Sequence, residues 1–168
     1  MATAPAARQP LLTLLAQLQQ ALDARFDEYR QTDRYRDGLG LQRLQLGVEL
    51  LCKLEEQLLH PALSASRAEA WPALGQAMGE VDTLRDLSAL LGRTPDAQRS
   101  GVLTTLESLA QLHFSVLNDL LQQADAAALP WQDLESETRA LLARWRTELQ
   151  QAGEIEDEDR DPVGTPPR

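Results

Sequence analysis

Two histidines, His60 and His113, and two adjacent acids, Glu55 and Glu56, are the residues of this chain best suited to metal or proton chemistry. Imidazole and carboxylate groups bind metals and carry protons when a fold brings them together. Other reactive groups are scarce. Cys52 is the single cysteine, so a disulfide within the chain and a thiolate zinc cluster are both excluded. Its apolar neighbours make it an inert packed thiol rather than a nucleophile. The chain carries no phosphate loop, zinc-protease helix motif, nucleophile elbow or EF-hand loop. Gly38-Leu39-Gly40 is too short for a dinucleotide fingerprint and reads as loop punctuation. The Arg30 to Arg36 segment would suit an anion, but its interspersed acids make it a solvated face. No catalytic residue is expected, and the chain reads as no enzyme.

Helices must position these groups. The 33 leucines, many glutamines and few β-branched or aromatic residues favour an all-α chain, since such side chains lose little freedom in a helix. Residues 1–9, rich in alanine and proline, are expected to be loose, with Pro10 at the first position of a helix. Leu11, Leu15, Leu18, Leu22, Phe26 and Tyr29 then recur at spacings of three and four, one face of a helix. Thr32 to Gly40 reads as a loop. A second helix from Leu41 to Leu59 carries Leu44, Val48, Leu51, Glu55 and Leu58 on its stripe, and Pro61 is expected to stop it.

A third helix is expected over 71–91, with Leu74, Met78, Val81, Leu84 and Leu91 inward and Gly92 ending it. Ser66 to Glu69 spells a capping box that would start a helical turn earlier. Thr94-Pro95 signals a new N-terminus, and the helix that follows bears Val102, Leu106, Leu109, His113, Val116, Leu117 and Leu120. Pro130 opens a last helix to Ala152, with Leu134, Leu141, Trp145 and Leu149 as packing residues; it can lie across the others as a fifth element. Residues 153–168, acidic and proline-rich, are expected to form a disordered tail. Long amphipathic segments joined by short loops pack most simply as an up-down-up-down four-helix bundle over residues 10–152.

Charge narrows the partners. The net charge is −10, of which the last sixteen residues contribute −4. The negative body lacks the lysines and arginines that release counterions from nucleic acid, and it offers no polybasic anchor for an anionic membrane. Arg8 and the leucines after it faintly suggest a signal peptide, but Gln17 breaks the run and the stretch continues as an amphipathic helix. A cytoplasmic location is expected.

One segment is more informative. Leu50 to Leu63 reads LLCKLEEQLLHPAL, and it resembles the second helix of hemerythrin-like (HHE cation-binding) domains. There a histidine is followed four residues later by glutamate and six further on by proline. Counting back from Pro61 places Glu55 at the glutamate position and Leu51 where the histidine belongs. Glu80 to Arg85 resembles the third-helix segment, with Val81 in place of histidine. Leu112-His113-Phe114 resembles the last ligand helix, with His113 on its histidine and Leu117 in place of the carboxylate. The first helix has no histidine. The likeness covers residues 10–125.

The resemblance implies a hemerythrin-like bundle that has lost most of its iron ligands: no cofactor and no bound metal, with Glu55 and His113 as the residues to hold one if any is bound. A module that binds or regulates is then expected, its partner a protein or a small apolar ligand. The alternative it implies is a di-iron protein for oxygen or nitric oxide with unorthodox ligands. Glu55 either faces the centre or turns outward with Glu56, and His113 either faces the centre or bonds a carbonyl at the core edge. If both face inward they should meet, because an unpaired buried carboxylate or imidazole is costly. His60, at the proline-stopped helix end, is expected to be exposed.

Overall fold

A computed structural model describes residues 4–31, 38–66, 72–124 and 129–159. Among them every element is helical: α1 (Ala4–Gln31), α2 (Gly38–Leu54), a π turn (Glu55–Leu59), α3 (His60–Ala65), α4 (Pro72–Arg93), α5 (Asp96–Gln123) and α6 (Trp131–Asp159). The all-α expectation is met. None of these helices is long and apolar enough to cross a membrane.

The packing closes a ring. α1 packs on α2, α2 on α4, α4 on α5 and α5 back on α1, while α6 lies against α1 and α2. The stripes explain it. Leu11, Leu15, Leu18, Leu22, Phe26 and Tyr29 are all buried, as are Leu44, Val48 and Leu51 of α2 and Leu106, Leu117 and Leu120 of α5. Burying each such side chain contributes about 1.5–3 kcal/mol before conformational entropy is set against it. Met78 departs from the expected stripe: Leu74, Ala77, Val81 and Leu84 face the core, and Met78 is exposed. Ala77, one position earlier, takes its place.

Several boundaries move. α1 begins at Ala4, so Pro10 lies inside it rather than at its start. Arg8 secures this end, donating to the Gln122 carbonyl near the end of α5 and stacking 5.8 Å from the Trp131 ring. Gly38 and Gly40 belong to the first turn of α2, not to a loop; backbone N–H groups there need no intrahelical partner, so glycine costs little. Thr94 does not cap α5. Pro95 occupies the N-cap, and the Thr94 hydroxyl donates back to Leu90 O at 2.7 Å. The capping-box residues beyond Ser66, most of the loop after Gln31 and the Leu149 side chain lie outside the described residues.

Pro61 does not stop its helix. Without an N–H, and with a ring that would press on the Gln57 carbonyl in a regular turn, it is accommodated by a single wide turn. The His60 N–H bonds to the Glu55 carbonyl, five residues back, and helix resumes to Ala65. Such π turns recur at functional positions.

α6 continues to Asp159, past Gly153 where the tail was expected to begin. Residues 153–168 nevertheless offer only Ile155 and Val163 as large apolar anchors among repelling acids. Truncation after Ala152 is therefore expected to move the melting temperature by no more than about 4 °C, the equivalent of roughly 1 kcal/mol. A drop well beyond that in a thermal melt followed by circular dichroism would show that this stretch packs.

Candidate functional site

Four titratable side chains form one connected line inside the ring. Glu55, in the π turn, is fully buried, and its Oε1 lies 2.5 Å from His113 Nε2 on α5. Its other oxygen, Oε2, lies 3.1 Å from His60 Nε2. On the far side of the His113 ring, Nδ1 is 2.8 Å from Glu80 Oε2 on α4. The order is Glu80, His113, Glu55, His60. Glu55 and His113 are wholly enclosed, and Glu80, with a side chain 12% exposed, is the more open end.

The local sequence explains each placement. Glu55 continues the α2 stripe one turn beyond Leu51, and His113 lies seven residues after Leu106 on the α5 stripe. Of the two orientations open to Glu55 and to His113, both take the inward one, and they meet. His60 reverses its expectation: it is buried. In a regular helix residues five apart diverge by about 140° around the axis. The wide turn that accommodates Pro61 removes much of that divergence and brings His60 to the same side as Glu55. Glu80 precedes buried Val81 on α4 and reaches across to His113.

The hydrogen bonds dictate a proton count. His113 has a carboxylate oxygen at each ring nitrogen, and each contact requires one proton. An imidazolium donates both; a neutral ring would need one of the two acids to be protonated. Either way the trio of Glu80, His113 and Glu55 holds one proton more than a neutral imidazole between two carboxylates. Burial alone would push the His113 pKa down, but hydrogen bonding to Glu55, the Glu55 charge and the same two effects from Glu80 outweigh it. The net shift is upward.

The surroundings are dry and apolar. Leu51, Val81 and Leu117 are buried with at most 1% exposure. Cys52 is buried too, its Sγ 3.7 Å from the Val81 carbonyl, and burial raises its pKa to about 12, so it is a thiol at neutral pH. On the outer side of α2, Arg85 donates to both carboxylate oxygens of Glu56 (2.8 and 2.9 Å) and to Glu49 (3.2 Å). That pairing keeps Glu56 away from the interior and lowers its pKa. Arg30 pairs with Glu107 on α5, so it is an interhelix tie and not an anion site. Among the described residues no group of three or more His, Cys, Asp or Glu side chains is arranged to hold a metal ion.

Sequence reasoning found Glu55 and His113 but did not name Glu80 as a partner and misplaced His60. One signal was present for His60: a proline directly after it, where an uninterrupted helix requires a wide turn.

Comparison with known proteins adds no relative: no family model, no curated protein and no solved structure matches this chain.

Proposed function

We propose that the chain is a non-catalytic, hemerythrin-like four-helix bundle, metal-free and cytoplasmic, that serves as a binding or regulatory module. The observation that carries this reading is the contact of Glu55 with His113 in the buried core, to which Leu51, Val81 and Leu117 also belong. These apolar residues stand where the resemblance places iron ligands. The donor set does not fit a di-iron centre, which needs several imidazoles with bridging carboxylates. Both histidines of the chain already bond to Glu55, and the inward stripe of α1 presents leucines, Phe26 and Tyr29. Aliphatic residues at vacated ligand positions add burial energy, whereas unfilled ligands in a dry interior need hydrogen-bond partners.

A second reading has its own support. Two imidazoles and two carboxylates from three helices and the π turn meet in one connected cluster, the raw material of an unorthodox iron site built on Glu55 and His113. One experiment separates the two. Protein purified from iron-replete cells is expected to carry far less than one iron per chain by elemental analysis and to lack oxo-bridge absorption in the visible and near-ultraviolet. Two tightly held irons per chain would replace the first reading with the second.

A further inference from the structure

The ring of α1, α2, α4 and α5 presents four faces, and three of them are closed. α6 covers the face between α1 and α2. Arg85 of α4 crosses the second, to Glu49 of α2 and Glu56 of the π turn. Arg30 of α1 and Glu107 of α5 pair across the third. The fourth, between α4 and α5, is crossed by no surface ion pair among the described residues. Its one charged contact, Glu80 with His113, is sunk in the seam, with the Glu80 side chain 12% exposed and its other oxygen accepting from Gln76 Nε2.

Residue spacing makes this face apolar. Positions seven apart on a helix point within about 20° of one another, so Thr83 and Leu90 share a direction on α4, as Thr105 and Leu112 do on α5. Partly buried Leu87, Leu109 and Val116 pack against the core beneath them. Leu90 is 44% exposed and Leu112 55%, two of the three large apolar side chains left in water among the described residues. The third, Met78, lies seven residues before Arg85 and so on the α2 side of α4. Asp86 and Asp119 mark the margins of the face.

We propose that the face between α4 and α5 binds a second copy of this chain in a two-fold dimer, with Leu90 of each copy against Leu112 of the other. The Glu80–His113 contact sets the register of the two antiparallel helices, and it places the two leucines nine residues apart in level, about 14 Å along the axes. A two-fold axis passing midway between them brings each onto the other, twice over, as an isologous interface requires. Charge selects the same occupant. The chain carries −10, and two-fold pairing would double any net charge on the shared face, so copies of so acidic a molecule can meet only where acids are absent. A cationic partner would instead be drawn to the acids elsewhere. The stripe from Gln76 to Leu90 is roughly 22 Å long and two helices side by side are about 20 Å wide. The footprint is therefore on the order of 900 Å² for the pair, in the range of weak, reversible complexes. The dimer holds with or without a metal at Glu55.

The test is sedimentation equilibrium of the full-length protein over a range of concentrations. Reversible dimerisation is expected, with Kd on the order of 100 μM. Leu112→Glu changes an exposed side chain, so it should leave the circular dichroism spectrum and thermal melt unchanged and weaken the dimer by more than about tenfold. Met78→Glu adds the same charge outside the face and should leave the Kd unchanged. The double variant Leu90→Lys and Leu112→Glu sets each lysine against a glutamate of the other copy and should recover much of the loss. A monomer at concentrations roughly tenfold above the expected Kd would overturn the assignment and leave the face to a different partner. So would a dimer indifferent to Leu112→Glu, an equal loss in Met78→Glu, or a double variant no tighter than Leu112→Glu alone.

Discussion

Replacing Glu55 with alanine is expected to destabilise the protein by about 3–5 kcal/mol, the largest loss foreseen for any single polar substitution in the chain. The residue is wholly buried and accepts from both histidines. Its removal leaves the Nε2 atoms of both buried histidines without an acceptor, His113 keeping only its contact with Glu80, and opens a void that the interior fills only in part. Against a typical domain stability of about 5–15 kcal/mol, that loss would be plain in urea unfolding at neutral pH. Glu55→Gln should cost less, because the amide keeps the volume and one acceptor. The informative companion is the triple variant Glu55→Leu, His60→Leu and His113→Leu. Exchanging the three most buried members for hydrocarbon, with Glu80 left at the more open end and still bonded by Gln76, avoids the desolvation of charge, so it should approach wild-type stability or exceed it. A triple variant as unstable as Glu55→Ala would refute this account of the network energetics.

Stability is expected to fall as pH rises above neutrality, because the His113 pKa is raised in the folded protein. A cationic group whose folded pKa exceeds its unfolded value contributes its full stabilisation below the unfolded pKa, about 6.5 for histidine. That contribution disappears as pH rises through the folded pKa. Above it, the neutral ring has one proton to share between Glu55 and Glu80, and one of the two contacts is lost. Urea midpoints measured from pH 6 to pH 9 should decline in the wild type and show a flatter dependence in His113→Gln. Imidazole ¹⁵N shifts give the direct reading: His113 should retain both ring protons at pH values where an ordinary histidine has lost one. A midpoint for His113 at or below 6.5 would contradict it.

The two expectations share one cause. The network is costly to break one member at a time because the interior supplies no alternative partners. Leu51, Val81 and Leu117 belong to the same buried core, and apolar packing that excludes water strengthens hydrogen bonds within it. The same enclosure separates the cluster from Arg85, which neutralises Glu49 and Glu56 on the outer side of α2.

What the sequence determined by itself is the set of helical faces. The stripe from Leu11 to Tyr29, the Leu44 to Glu55 stripe and the Leu106 to Leu120 stripe are local patterns of spacing, and a helix of fixed pitch converts spacing into direction without reference to the rest of the chain. The pattern left Glu55 and His113 two orientations each, and the packing of the helices around a common interior selected the inward one for both and brought them together. Tertiary structure decided the rest. The turn at Pro61 widened instead of ending the helix, because continuing to Ala65 allows Leu63 to be buried and His60 to bond with Glu55. That gain lies in contacts no local pattern contains. Glu80 joined the network only because α4 packs on α5, and Ala77 displaced Met78 from the core because the angle at which α4 meets its neighbours selects one edge of a broad apolar stripe. The seat of α6 on α1 and α2, with Trp145 over Gly47, depends on a glycine and an indole nearly a hundred residues apart. A helical period is written in each segment, whereas the partner of each face is set by the packing of all of them together.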